Sequence, residues 1–136
     1  YWRLKPHPIW KGNFEDAREE LQRLIHNSIK LRLRSDVPLG LFLSGGVDSS
    51  GLVALASSMG FKNLNTLTIN FENKQGQDNH FASLVSKQYN TQHRSITFTS
   101  TDFKNELDNL IPYLDEPLAD SAIIPTFFLS KIPYLD

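Results

Sequence analysis

The sequence predicts an α/β protein built on an open parallel sheet with flanking helices. Three apolar segments of strand length, at residues 39–43, 64–71 and 93–98, alternate with segments of helical periodicity. Each connection is long enough for the crossover helix that parallel strands require. Ligands bind such sheets beyond the carboxyl ends of the strands. We therefore expect the loops after residues 43 and 71 to border the functional site.

The first helix is predicted to run from about residue 14 to residue 34. Asn13 is a suitable N-cap, and Glu15 and Asp16 place negative charge in the first turn, where the helix dipole favours it. Pro38 prevents the helix from continuing into the first strand. Residues 1–13 are rich in proline, glycine and aromatic side chains, which is typical of a linker or of a loose terminal arm.

The second helix should extend from the loop after residue 43 to about Met59, because Gly60 is a suitable residue to end it. Residues 72–79 are polar and are predicted to form a loop. Asp78 is then in position to cap the third helix, because a carboxylate accepts hydrogen bonds from the unpaired N–H groups of a first turn.

The fourth helix follows the third strand, and Ser100 or Thr101 is predicted to cap it. Pro112 is expected to close this helix, because proline lacks the N–H that a helix interior needs. A last apolar segment predicts a fifth helix that contributes core residues, namely Phe127, Phe128 and Leu129.

The loop between the first strand and the second helix has the composition of an anion site. Two glycines, Gly45 and Gly46, let the backbone bring its N–H groups close to a ligand. The helix that follows adds the positive end of its dipole. Three hydroxyl groups, those of Ser44, Ser49 and Ser50, are available to donate hydrogen bonds to the same anion. The pattern predicts a phosphate site.

Asp48 distinguishes this loop from a Walker A loop, which has a lysine before its serine or threonine. A carboxylate beside phosphate is repulsive unless a cation lies between them, and Mg²⁺ binds through one or two carboxylates plus phosphate oxygens. Asp48 is therefore predicted to be the metal ligand. The alternative is that Asp48 caps a helix that begins at Ser49.

Two stretches carry a family resemblance. Residues 44–49, with the letters SGGVDS, resemble the S-G-G-x-D-S pyrophosphate loop of the N-type ATP pyrophosphatases, which have the adenine nucleotide alpha hydrolase-like (PP-loop) fold. The wider run 35–50 is similar to the synthetase domain of glutamine-hydrolysing asparagine synthetases. The run DEPLAD at 115–120, with Ile-Pro-Thr at 124–126, is similar to a second stretch of that family.

The resemblance implies ATP and Mg²⁺ as cofactors and Asp48 as the catalytic metal ligand. ATP would adenylate aspartate, and ammonia from glutamine would then form asparagine, with AMP and pyrophosphate as products. The nucleotide would contact Leu43 and the end of the second strand at Ile69 and Asn70, where the family usually has glycine at position 70. Asp115, Glu116 and Asp120 would border the aspartate site; otherwise they form a solvated acidic turn.

The resemblance covers part of a synthetase domain. The family's second acidic motif, G-D-G-x-D-E, and its N-terminal cysteine nucleophile do not occur in these 136 residues. We therefore expect residues 14–136 to be the first part of that domain and residues 1–13 to follow a missing glutaminase domain. Apolar surface left exposed in this way would be available to the missing half or to a second copy of the chain.

Two other functions fit the same loop. Related enzymes close β-lactam rings, cyclise lasso peptides or amidate sugars, and the residues present do not separate these acceptors. A nucleotide-binding piece without turnover is the alternative from another class. The sequence past residue 131 would distinguish them, because the second acidic motif belongs there.

Composition agrees with a globular protein. Hydrophobic residues make up 40% of the chain and the net charge is −1, so no basic face for nucleic acid is indicated. There is no cysteine, no signal peptide and no apolar run of membrane-spanning length, which together predict a cytoplasmic protein. The four histidines lack a metal-binding spacing. The five residues IPYLD occur at both 111–115 and 132–136, and no physical reason for this repeat is evident.

Overall fold

A computed structural model describes residue 3 and residues 10–37, 39–72 and 77–132. The chain divides into two compact units, Tyr1–Arg34 and Ser35–Asp136. Most of the predicted linker, Pro38, the centre of the 72–79 loop and the second IPYLD copy beyond Ile132 lie outside the described residues.

Among its described residues, the first unit contains one helix, α1 (Phe14–Arg32), as predicted. A reciprocal capping box begins it: Asn13 Oδ1 accepts from the Asp16 N–H at 2.9 Å, and Asp16 Oδ2 accepts from the Asn13 N–H at 3.1 Å. These bonds satisfy two backbone donors at the helix start, which is why the helix begins directly after Asn13. The helix ends two residues earlier than expected, at Arg32.

The second unit contains three strands and four α-helices among its described residues. Both strand pairs are parallel, in the order β1-β2-β3, which confirms the predicted parallel sheet. In chain order the elements are β1 (Gly40–Phe42), α2 (Val47–Ser58), β2 (Asn65–Phe71), α3 (Gln77–Gln88), β3 (Gln92–Phe98), α4 (Ser100–Leu110), a 3₁₀ turn (Ile111–Tyr113) and α5 (Ile123–Ser130).

Helices pack on both faces of the sheet. Because side chains alternate along a strand, β1 and β2 present one set of residues to each face. On one face Leu43, at the end of β1, packs against Val53 of α2 and Ala82 of α3. A second cluster joins Phe98 of β3 to α4 and α5, and Ile69 of β2 packs against it. The last helix supplies core residues as predicted, since Leu129 is buried and Phe128 packs on Phe98 with ring centroids 5.0 Å apart.

Two predicted helix caps are wrong, and so is the helix start that the capping alternative for Asp48 required. The second helix begins at Val47, two residues before the Ser49 start of that alternative, and its N-cap is Gly46. The third helix already includes residues 77–79, so Asp78 lies inside its first turn and does not precede it as a cap. The fourth helix is capped by Thr99, one residue before the first predicted candidate. Each error has the same origin, because several hydroxyl or carboxylate residues stand side by side and spacing does not choose among them.

Candidate functional site

The loop between β1 and α2, residues 44–50, forms a backbone turn that presents N–H groups at a helix start; it is called the serine–glycine loop below. Gly45 has φ +80°, a left-handed conformation that strains any residue with a Cβ. Gly46 is the N-cap of α2, and no side chain caps the helix there. The first N–H groups of α2 therefore lack a side-chain acceptor, and the positive end of the helix dipole adds to them.

Ser49 holds this loop in shape. Its Oγ accepts from the Ser44 N–H at 3.2 Å, donates to the Gly46 carbonyl at 3.2 Å and lies 3.0 Å from Ser44 Oγ. Ser49 has one hydroxyl proton, and it donates that proton in the hydrogen bond to the Gly46 carbonyl. Ser44 is exposed, so its own proton is the one that can turn outward to a ligand. The three predicted hydroxyl donors thus have different roles.

Ser50 differs from the other two serines. Its N–H donates to the Gly46 carbonyl at 3.0 Å as part of the first turn of α2. Its Oγ is buried and has no hydrogen-bond partner among the residues that the structure describes. A buried hydroxyl without a partner is unfavourable, so an acceptor brought to the loop would satisfy it. This is a feature expected of an anion site.

Asp48 is the second residue of α2, and its side chain is exposed. Within the described part of the chain its carboxylate accepts no hydrogen bond, so the alternative that Asp48 caps the helix is wrong. Asp48 belongs to the serine–glycine loop, and its carboxylate is open to solvent. A carboxylate oxygen is a ligand that suits Mg²⁺, which can complete its shell with phosphate oxygens and water.

The end of β1 is fastened to β2 by two hydrogen bonds at Leu43. The Leu43 N–H donates to the Leu67 carbonyl at 2.7 Å. The Leu43 carbonyl accepts a hydrogen bond from Thr68 Oγ1. Thr68 is almost fully buried and was not among the predicted site residues. No sequence signal distinguishes it from Thr66, the other threonine of β2, because its partner is 25 residues away.

The predicted nucleotide contacts on β2 have separate environments. Ile69 packs against the cluster beneath α4 and α5, as a core strand residue does. Asn70 Nδ2 donates to Ser95 Oγ at 2.8 Å, which ties the end of β2 to the middle of β3. Asn70 Oδ1 is buried and lacks a partner among the described residues, so it remains available to a donor. Leu43 is a core residue next to the loop.

The acidic stretch forms a turn that leads into α5. Asp115, Glu116 and Asp120 are all exposed. Asp120 Oδ1 accepts from the Ala122 N–H at 2.9 Å, and the Asp120 carbonyl accepts from the Ile123 N–H at 3.3 Å, so Asp120 shapes the turn. In the described part of the chain, no three His, Cys, Asp or Glu side chains are grouped closely enough to hold a metal ion. A metal at Asp48 would therefore need further oxygen atoms from a bound phosphate or from water.

A cleft of about 700 Å³ opens at the carboxyl ends of β2 and β3. Its apolar walls include Phe71, Phe98 and Phe103, and its polar groups include Glu72 and Lys104. The residues after Asp120, at 121, 122 and 125, also line it. The ends of two strands therefore meet the start of α5 at one cavity, on the sheet edge that the topology predicts for ligands. The predicted acidic residues Asp115, Glu116 and Asp120 are not among the residues that line it.

One ionisable group beside the cleft has a shifted pKa. Asp102 Oδ2 accepts from Thr99 Oγ1 at 2.7 Å and from the Thr99 N–H at 2.8 Å. These two hydrogen bonds, of which the hydroxyl bond has the larger effect, lower the pKa of Asp102. Asp102 is therefore a structural anion that caps α4. Its role is to fix Thr99, which lines the cleft.

Comparison with known proteins identifies the family. The asparagine synthase family model matches residues 20–132, so the chain belongs to that family. It is 34% identical over 135 residues to a putative glutamine-hydrolysing asparagine synthetase 2 of Methanocaldococcus jannaschii, covering 97% of this chain and 25% of that protein. It is 33% identical over 129 residues to asparagine synthetase 1 of Bacillus subtilis, covering 90% and 20%.

Among solved structures, the NH3-dependent NAD synthetase of Campylobacter jejuni aligns with 86% of this chain and 47% of its own, at 18% identity and a TM-score of 0.49. The chain spans a quarter or less of the two asparagine synthetases. None of the helices in the described residues is long and apolar enough to cross a membrane.

Proposed function

We propose that this chain is the ATP-binding part of an amide-forming ligase that converts aspartate to asparagine. ATP adenylates the side-chain carboxylate of aspartate and releases pyrophosphate. Ammonia derived from glutamine then attacks the acyl adenylate and displaces AMP. Membership of the asparagine synthase family and the similarity to the two asparagine synthetases support this assignment.

The observation that carries the proposal is the serine–glycine loop at the start of α2. Its N–H groups and the hydroxyls of Ser44 and Ser50 form a cradle for the β and γ phosphates of ATP. In the transition state negative charge accumulates on the departing pyrophosphate, where donors fixed in place are most effective. Ser49 keeps those donors fixed through its bonds to Ser44 and Gly46.

Asp48 would hold the metal in this mechanism. When bound there, Mg²⁺ would supply charge screening for the phosphates and Lewis-acid stabilisation of the leaving pyrophosphate. The carboxylate is exposed, unbonded within the described residues and next to the phosphate cradle, so it fits that role. The adenylation step needs no general base, because the carboxylate nucleophile attacks the α phosphate without losing a proton.

We place the adenosine beside Leu43, Ile69 and Asn70 and the aspartate toward the cleft. The buried, unpaired Asn70 Oδ1 offers an acceptor to the amino group of adenine. Lys104 in the cleft wall offers a positive charge to a carboxylate of aspartate, and the acidic turn at 115–120 leads directly into that wall. The amide-forming step needs ammonia, and we assign its release from glutamine to a separate glutaminase domain.

The assignment is tested by product analysis of the full-length protein. With ATP, aspartate and glutamine, we expect one AMP and one pyrophosphate for each asparagine formed. Omitting aspartate should abolish AMP formation, and ammonium should replace glutamine. ADP and phosphate as products would contradict the proposed cleavage between the α and β phosphates. AMP formation that requires an acceptor other than aspartate would overturn the substrate assignment.

A further inference from the structure

The hydroxyl of Thr68 has a partner that links β2 to the serine–glycine loop. Thr68 Oγ1 donates to the carbonyl of Leu43, the residue immediately before Ser44. The β1–β2 register ends at Phe42 and Leu67, so the Leu43 carbonyl lies just past the regular pairing. Leu43 is 1% exposed and Thr68 is 3% exposed. Water is therefore excluded from this carbonyl, and the Thr68 hydroxyl is its donor.

The peptide bond transmits this contact to the loop. The Leu43 carbonyl and the Ser44 N–H belong to one planar peptide unit, and they point in opposite directions. Fixing the carbonyl on Thr68 therefore fixes the direction of the Ser44 N–H. That N–H donates to Ser49 Oγ, and Ser49 Oγ donates to the Gly46 carbonyl.

The result is a continuous series of bonds from the buried strand β2 to the N-cap of α2. We propose that Thr68 is a positioning residue, which sets the orientation of the loop and thereby its affinity for the β and γ phosphates of ATP. Thr68 contacts no phosphate itself. The inference rests on the proposed function, because it assumes that this loop holds the polyphosphate.

Thr66 provides a matched control on the same strand. It lies two residues earlier, so it faces the same side of the sheet, and it is fully buried. Its hydroxyl bonds to Thr91 Oγ1 at 2.8 Å and to His93 Nδ1 at 2.9 Å, away from the loop. Removing either hydroxyl deletes a buried hydrogen bond, but only Thr68 is joined to Ser44.

The experiment compares equilibrium binding of ATP and of AMP to the full-length protein. AMP lacks the β and γ phosphates, so its affinity does not depend on their cradle. Thr68→Val keeps the shape of the side chain and removes the hydroxyl. For this variant we expect ATP affinity to fall about tenfold, because one hydrogen bond that positions the loop is lost. AMP affinity should stay unchanged. Thr68→Ser keeps the hydroxyl and should restore ATP binding. Thr66→Val should leave the ratio of the two affinities as in the wild type.

Equal losses of ATP and AMP affinity in Thr68→Val would overturn the inference, because they would indicate general destabilisation. An unchanged ATP affinity would overturn it as well. If Thr68→Val does not fold, Thr68→Ala removes the same hydroxyl with a smaller side chain, and the same ratio decides. Wild-type protein that binds no ATP would instead contradict the proposed function, so the two failures are distinguishable.

Discussion

The charge of Asp48 has two electrostatic effects of different size, one on the helix and one on a bound polyphosphate. Asp48 stands in the first turn of α2, where a negative charge is favoured by about 0.3–1 kcal/mol through the helix dipole, and it makes no capping bond within the described residues. Its electrostatic effect on a bound polyphosphate is larger. At about 4 Å and an effective dielectric constant of about 20, each unsatisfied charge pair costs roughly 4 kcal/mol. A metal between the groups converts this repulsion to attraction.

We expect Asp48→Asn in the full-length protein to lower Mg²⁺-dependent ATP turnover by about two to three orders of magnitude. The midpoint of thermal unfolding should stay close to that of the wild type, because only the dipole interaction is lost. Steady-state rates across a Mg²⁺ titration measure the first effect. Asp108→Asn, which changes the same charge at an exposed position of α4, is the control. Normal turnover of Asp48→Asn at ordinary Mg²⁺ would refute the metal assignment.

Gly45 supports a prediction about the backbone itself. Its φ of +80° is disfavoured for alanine by about 1–2 kcal/mol, so Gly45→Ala strains the turn or moves it. We expect weaker ATP binding, by roughly tenfold or more, with the loop N–H groups displaced. Gly51→Ala is the matched control, because that glycine lies inside α2 and an added methyl group would meet no atom. Equal ATP affinity in both variants would show that the turn geometry is not used.

At the scale of the element, helix starts determine where the loops of the site stand. α4 begins with a capping box in which Thr99 Oγ1 accepts from the Asp102 N–H at 3.1 Å, and the Asp102 side chain accepts from the Thr99 N–H. The same box orients Thr99 at the cleft. Ser100 and Thr101, the residues that the sequence favoured, already lie within the helix.

Thr99→Ala should therefore lower the free energy of unfolding by about 0.5–2 kcal/mol, the usual contribution of an N-cap. Thr101→Ala removes an exposed hydroxyl from the same turn and should change it by less than about 0.5 kcal/mol. Urea unfolding of both variants measures the difference. A larger loss in Thr101→Ala would contradict the observed cap.

At the scale of the whole molecule, a polar network joins β2, β3 and the turn before β3. Thr66, at its centre, bonds to Thr91 and to His93. Burial lowers the pKa of His93, because a charged imidazolium is poorly solvated there. At pH values below about 6.5, the ordinary pKa of histidine, the unfolded chain therefore binds a proton at His93 more readily than the folded chain does.

Proton linkage gives the direction of the pH effect. The stability that neutral His93 contributes is fully present above about pH 6.5 and is lost as the pH falls through the lower pKa of the folded state. We expect the unfolding midpoint to drop between pH 7 and pH 5, with a shallower decrease in His93→Gln. Thermal unfolding at a series of pH values makes the comparison. Identical pH profiles for the wild type and His93→Gln would show that another group controls the decrease.

A second prediction at this scale concerns the length of the chain. These residues correspond to 20–25% of the asparagine synthetases that they resemble, and large apolar side chains of the second unit remain exposed, among them Phe42, Phe81 and Tyr113. We expect the isolated 136 residues to form no asparagine from ATP, aspartate and ammonium. Detectable asparagine from this chain, with the full-length protein as the positive control, would show that the rest of the protein is dispensable for the chemistry.

The sequence by itself determined the parallel α/β architecture and the serine–glycine loop. Both depend on residues that are close in the chain: apolar runs of strand length, and glycine, hydroxyl and carboxylate groups at fixed spacing before a helix. Only the tertiary structure decided which hydroxyl groups hold the loop in shape and which are available to a ligand. The contact of Thr68 with Leu43 spans 25 residues and exists only because β1 and β2 pair in one register. The cleft likewise requires the ends of β2 and β3 to meet the turn before α5, and such long-range packing leaves no local pattern in the chain.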